Sequence, residues 1–135
     1  MEEENFDQQL QSAACDGDYE AVVDLVENKG CNPSGFDFWQ KPLALAASSG
    51  HVQVVDYLLQ HGADVNGTDL NGDSALMSAV CHLGTLQIVQ MLLENGADVN
   101  HRDAQNKSVL EWATERSSQE IIDFLTAQIN APQGA

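Results

Sequence analysis

The sequence predicts an all-α solenoid, a stack of four helix-turn-helix units joined by β-hairpin-like turns. Three observations carry this. The run from Gly50 to Asn66, which closes Gly62-Ala63-Asp64-Val65-Asn66, recurs 34 residues later from Gly84 to Asn100, closing Gly96-Ala97-Asp98-Val99-Asn100. Within a copy, Val54, Val55, Leu58 and Leu59 stand at i, i+1, i+4 and i+5, the spacing of one apolar stripe on a helix. Turn glycines then fall at 30, 62 and 96.

Each element follows from this register. The first unit is a degraded copy running from Gly17 through Val22, Leu25 and Val26 to Gly30-Cys31-Asn32. In the second, Leu43, Ala46 and Ala47 make a short apolar face with small alanines where another helix must come close, and the stripe around Val54 makes a longer helix. Gly62 ends that helix, since the position after a helix commonly needs a left-handed backbone. The spacing predicts short helices near 7–15, 42–48, 75–82 and 109–115, and longer ones near 19–28, 52–61, 86–95 and 118–129. The units are about 5–35, 36–68, 69–102 and 103–131, forming a single domain over 1–131 with a flexible tail at 132–135. Adjacent units must stack to bury their faces, and the outer units must turn polar surfaces to water. Gln8, Gln9 and Gln11 at one end, and Thr114, Glu115, Ser117, Ser118 and Gln119 at the other, fit that requirement.

Composition narrows the function. Five Lys and Arg stand against twenty-one Asp and Glu, a net charge of −16, which repels phosphate backbones and anionic lipid headgroups. We therefore expect neither nucleic acid nor membrane as partner, and a monomer when free. Cys15, Cys31 and Cys81 form an odd set without a CxxC pair, and no basic, apolar leader opens the chain. Reduced thiols are the expectation, in a protein of the cytoplasm and also of the nucleus.

The repeat resembles the ankyrin family, whose units are about 33 residues built as a turn and two helices. The resemblance rests on the two Gly-Ala-Asp-Val-Asn turns, on Pro42-Leu43 followed by Ala46-Ala47, and on Asn71-Gly72-Asp73-Ser74-Ala75-Leu76, and it covers roughly residues 6 to 126. The family's Thr-Pro-Leu-His run reads Lys41-Pro42-Leu43-Ala44, Ser74-Ala75-Leu76-Met77 and Ser108-Val109-Leu110-Glu111 here. Ser74 and Ser108 can still cap their helices, whereas Lys41 cannot, and a lost cap costs about 1 kcal/mol. Two length changes stand out. The first hairpin is one residue short and carries Phe36, Asp37, Phe38 and Trp39, and the third unit gains a residue around Cys81-His82-Leu83.

The resemblance implies a scaffold that binds other proteins through hairpin tips and the concave face of the short helices. On matching positions, that surface comprises Phe38, Trp39, Gln40, Ser48 and Ser49 from the second unit. The third contributes Leu70, Asn71, Asp73, Cys81, His82 and Leu83, and the fourth Ala104, Gln105, Lys107, Glu115 and Arg116. Aromatic anchors dominate interfaces, so Phe38 and Trp39 lead; the alternative is that their rings fold over the first inter-unit groove. Leu83 and Trp112 have packing as their alternative, and His82 reads as a solvated turn residue. Asn66 and Asn100 occupy the position that asparaginyl hydroxylases modify in related proteins, which makes them candidate hydroxylation sites.

No metal is expected, because His51, His61, His82, His101 and the cysteines lack paired-ligand spacing. Neither a catalytic residue nor a cofactor is expected, since phosphate loop, HExxH and GxSxG are all missing. Asp64 and Asp98 read as turn formers, and Glu2-Glu3-Glu4 as charge favouring the N-terminal end of the first helix. The reading is a non-enzymatic protein-binding module, a stand-alone adaptor or stoichiometric inhibitor whose partner carries a basic or apolar patch. The alternative is a specificity or regulatory subunit of an enzyme complex. The chain is also similar in size and in Lys41-Pro42-Leu43, Ser78-Ala79-Val80 and Glu111 with Ala113-Thr114 to the myotrophin family, which implies an actin-capping or transcription-factor partner. Its size also matches the four-repeat cyclin-dependent kinase inhibitors.

Overall fold

The structure, a computed structural model, describes residues 5–34, 41–82 and 85–130. Eight helices appear among them: α1 (Phe6–Asp16), α2 (Tyr19–Glu27), α3 (Pro42–Ser48), α4 (Val52–Gln60), α5 (Ala75–Cys81), α6 (Leu86–Glu94), α7 (Val109–Arg116) and α8 (Gln119–Asn130). Every end lies within one residue of the position that the apolar spacing predicts. The expected tail at 132–135 lies outside the described residues.

Local chemistry starts most helices. Side chains of Asn5, Asp18, Ser74, Thr85 and Ser108 each accept a backbone N–H from the first turn that follows, satisfying one orphan donor. Lys41 supplies no such cap, and α3 instead begins on Pro42, whose missing N–H removes one of those donors. His51 does not cap α4 either; its ring Nε2–H donates 2.8 Å to the carbonyl of Cys15, tying the second unit to the end of α1.

The odd-numbered helices pack in series, α1 on α3 on α5 on α7, and the even-numbered helices form a parallel, looser row. Ala13 and Ala14, Ala46 and Ala47, Ala79, and Ala113 are all buried on the inner row, and small side chains let those helices approach closely. The outer row buries Val22 and Leu25, then Val54, Val55 and Leu58, then Ile88, Val89 and Leu92, then Ile121 and Leu125. The inner helices thus pack more closely in series than the outer ones, with the turns beside them.

Lateral hydrogen bonds set the repeat. Asn32, Asp64 and Asp98 each fold their turn by accepting the N–H two residues on, at 2.9, 3.0 and 2.9 Å. The residue receiving that fold then reaches the next unit: Ser34 Oγ accepts from Asp64 N, and Asn66 Oδ1 accepts from Asp98 N while its Nδ2 donates to the carbonyl of Gly96. The turns are hairpin-like without becoming strands; among the described residues the one bridge joins Arg102 and Ser108. No helix among the described residues is long and apolar enough to cross a membrane.

Candidate functional site

The two hairpins described in full, 69–73 and 103–107, are built alike. Asp69 Oδ1 accepts the N–H groups of Asn71 and Asp73 at 2.8 and 3.1 Å, and Asp103 Oδ1 accepts those of Gln105 and Lys107, both at 2.9 Å. Each tip needs one left-handed residue, supplied by Gly72 at φ 76° and by Asn106 at φ 64°. The hairpins are bolted together: Ala104 N–H donates 3.0 Å to the carbonyl of Asn71, and His101 Nε2–H donates 2.7 Å to that of Gly72. At the tip, Leu70 is 74% exposed, a large apolar side chain on a rigid turn.

Behind the tips lie two clefts sharing Asp73 and Trp112. The larger, about 310 Å³, is lined by Asn71, Asp73, Asp103, Ala104, Gln105 and Trp112. The smaller, about 160 Å³, is lined from α5 and α7 and the residue after α5, by Met77, Ser78, Cys81, His82 and Arg116. Trp112 is half-buried, its indole Nε1–H donating 2.8 Å to Asp103 Oδ2. Lys107 Nζ sits 3.9 Å from the centre of that ring and pairs with Glu115, and the Arg116 guanidinium lies 5.8 Å from it.

These contacts separate the two carboxylates electrically. The Lys107 N–H above all, with the Trp112 indole, the Gln105 N–H and the Lys107 charge, holds the Asp103 carboxyl below the usual carboxylate range against partial desolvation. Burial, reinforced by the charges of Asp69 and Asp103 and opposed by His101 and His82, pushes Asp73 above that range. Cys81 is pushed up to about 11, by burial first and then by Asp73, so its thiol stays protonated at neutral pH and is a poor nucleophile. All three cysteines are free, and among the described residues no group of three or more His, Cys, Asp or Glu is placed to hold a metal.

The residues singled out in sequence divide. Leu70, Asn71, Asp73, Gln105, His82, Cys81 and Arg116 gather at the tips and clefts of the third and fourth units. Lys107 is half-buried over Trp112 and already paired, so its ammonium is committed within the chain. Ser48 and Ser49 end α3, with Ser48 Oγ turned back on the Leu45 carbonyl and Ser49 Oγ 3.8 Å from Cys15 Sγ. Phe38, Trp39, Gln40 and Leu83 lie outside the described residues. Of the two asparagines, Asn66 spends its amide on the next turn, whereas the Asn100 amide makes no such lateral bond among the described residues. Sequence reasoning missed Asp69, Asp103 and His101 as the frame of the site. The signal was present in Asp69 and Asp103, which stand 34 residues apart in the repeat register.

Comparison with known proteins gives a consistent picture. A family model described as ankyrin repeats, three copies, matches residues 10–103. The E3 ubiquitin-protein ligase XBAT33 of Arabidopsis thaliana is 42% identical over 82 residues, covering 57% of this chain and 15% of that protein. The probable E3 ubiquitin-protein ligase XBOS33 of Oryza sativa subsp. japonica is 40% identical over 77 residues, 56% of this chain and 15% of that protein. An L-asparaginase of Dirofilaria immitis is 42% identical over 76 residues, 56% of this chain and 13% of that protein. The chain thus spans only a small part of the length of these relatives.

Proposed function

This chain belongs to the ankyrin-repeat family, whose repeats are protein-interaction modules and as a rule not enzymes, and on that premise we propose that it acts as a stoichiometric adaptor or inhibitor by covering a partner's surface. The binding surface runs along the hairpin tips and the concave face, through Leu70, Asn71, Asp73, Gln105 and Arg116, and continues to Phe38 and Trp39 in sequence. The observation that carries this reading is Leu70, 74% exposed on a turn that neighbouring backbone holds rigid. Rigid apolar tips lose little freedom on binding, and exposed apolar side chains on such a frame are what interfaces use.

The experiment is partner capture followed by reconstitution with the purified partner. Calorimetry should return one partner per chain, with affinity falling about tenfold or more for Leu70→Ala or for the Phe38→Ala/Trp39→Ala pair, each first shown to be folded. Binding that ignores substitutions at every tip would remove this surface from consideration.

A second reading makes the chain the specificity element of a larger enzyme assembly. It is favoured by the matching repeats in relatives named as E3 ubiquitin-protein ligases. A captured complex that transfers ubiquitin to the partner would select it, and a complex without transfer activity would select the simple adaptor or inhibitor.

A further inference from the structure

The cleft between the two hairpins lies on that binding surface, and its lining points to one kind of side chain. We propose that it takes a basic side chain, the lysine or arginine of an extended segment on a protein partner, with Asp73 as its ion-pair partner and Trp112 as the wall along its aliphatic stem. The inference rests on the protein-binding reading above and names the partner chemistry at one point of that surface.

The argument starts from what is left unsatisfied. Asp103 is fully committed, one carboxylate oxygen accepting two backbone N–H groups and the other accepting the Trp112 indole. Asp73 is not: its N–H is held by Asp69, and no donor among the described residues reaches its carboxylate. The groups facing it are Asp69 and Asp103, which repel its charge, and His101 and His82, which oppose that effect. No Lys or Arg is among the described residues lining this cleft of about 310 Å³. Three of the chain's cations have other neighbours: Lys107 lies over the indole with Glu115, Arg102 pairs with Glu111, and Arg116 lines the smaller cleft on the other side of Asp73 and Trp112 without a hydrogen bond to that carboxylate. An entering cation relieves the repulsion among the carboxylates, and a charged hydrogen bond forms where none exists.

Shape agrees with charge. The walls cannot drift apart, because the Ala104 and His101 hydrogen bonds fix one hairpin against the other. The side-chain amides of Asn71 and Gln105 add acceptors beside the carboxylate, which suits a donor-only head group. The chain itself shows that this indole accepts a lysine, since Lys107 already lies across it. The net charge of −16 draws basic segments toward the surface over distances longer than any contact.

The test is a heteronuclear NMR titration of the full chain with acetyl-Gly-Gly-Arg-Gly-Gly-amide, its Lys counterpart, and its Glu counterpart as comparator. The basic peptides should produce saturable shifts at the Trp112 indole and at the amides of Asn71, Asp73 and Gln105, weakening as salt rises, while the Glu peptide produces none. Asp73→Asn, which keeps the backbone frame, should weaken the basic peptides about tenfold, whereas Asp24→Asn on α2 should not. The proposal fails if the basic peptides do not saturate, if the Glu peptide matches them, or if Asp73→Asn leaves their affinity unchanged. The comparison of Arg with Glu needs only the parent chain, so it stands even where a variant does not fold. A failed titration alongside successful partner capture overturns the cleft alone, and the converse result overturns the wider surface alone.

Discussion

Gly72→Ala is the most informative single change, because two distinct costs meet at that residue and a control separates them. Gly72 sits at φ 76°, where a side chain is strained, and an added Cβ would lie 2.7 Å from the backbone nitrogen of Ala104. That nitrogen is the donor to Asn71, and the Gly72 carbonyl is the acceptor for His101, so relief of the clash pulls on both bonds between the hairpins. Left-handed strain costs about 1 kcal/mol for alanine, and two weakened hydrogen bonds add about 1 kcal/mol each, for a total of about 3 kcal/mol. Gly62 supplies the control: its φ is 89°, and among the described residues nothing beyond its own chain neighbours lies within 4 Å of an added Cβ, so Gly62→Ala should lose only the strain, about 1 kcal/mol. Equilibrium urea unfolding of the parent and both variants, at equal denaturant slope, measures the difference. If Gly72→Ala costs no more than Gly62→Ala, the hairpins are not locked together as argued, and the rigid cleft behind them loses its basis.

Other outcomes follow from the same contacts. Leu58→Ala, at a fully buried position on the outer row, should cost 2–5 kcal/mol in the same urea assay, as core truncations do. The buried Tyr57 hydroxyl makes no well-formed hydrogen bond among the described residues, the nearby Glu27 carboxylate included, and burial followed by that carboxylate pushes it up to about 12. Tyr57→Phe should therefore be neutral or stabilising, and a thermal melt showing a clear loss would mean that the hydroxyl is satisfied in solution. The two hairpin carboxylates should respond to acid in opposite senses. Asp103, held below the usual range, stabilises the fold above the unfolded carboxylate value of about 3.9, and that contribution disappears as pH falls through its lower folded value. Asp73, held above the usual range, penalises the fold at neutral pH, and the penalty fades as pH falls through its raised folded value and is gone below the unfolded value of about 3.9. Melting curves from pH 7 to pH 3 should accordingly show Asp103→Ala destabilised most at neutral pH, and Asp73→Asn equal to or above the parent there, with both differences shrinking in acid.

The helices were legible because their information is local. The spacing of Val54, Val55, Leu58 and Leu59, the alanines of 46 and 47, and the recurrence 34 residues on place the helix ends to within a residue. Turn chemistry was equally local, so Asp64 and Asp98 were readable as turn formers from their neighbours alone. The candidate site was legible as a set of repeat positions and not as a geometry. Lys107 looked like a surface cation, and the structure lays it over Trp112 beside Glu115. Asp73 was readable as a surface acid and Asp103 was not singled out at all, yet the structure saturates Asp103 with donors and leaves the Asp73 carboxylate without one among the described residues.

The chain order of apolar and turn residues sufficed for the family and for the eight helices among the described residues, since each depends on neighbours a few positions apart. Tertiary structure alone decided which carboxylate is committed, which cation is tied down and where a cleft remains. Those outcomes depend on how one hairpin settles against the next, a distance set by the Gly72, Ala104 and His101 contacts between residues some thirty positions apart. Hydrogen bonding and Coulomb interactions act over a few ångströms of space, and it is the stacking of the units that converts separation along the chain into that proximity.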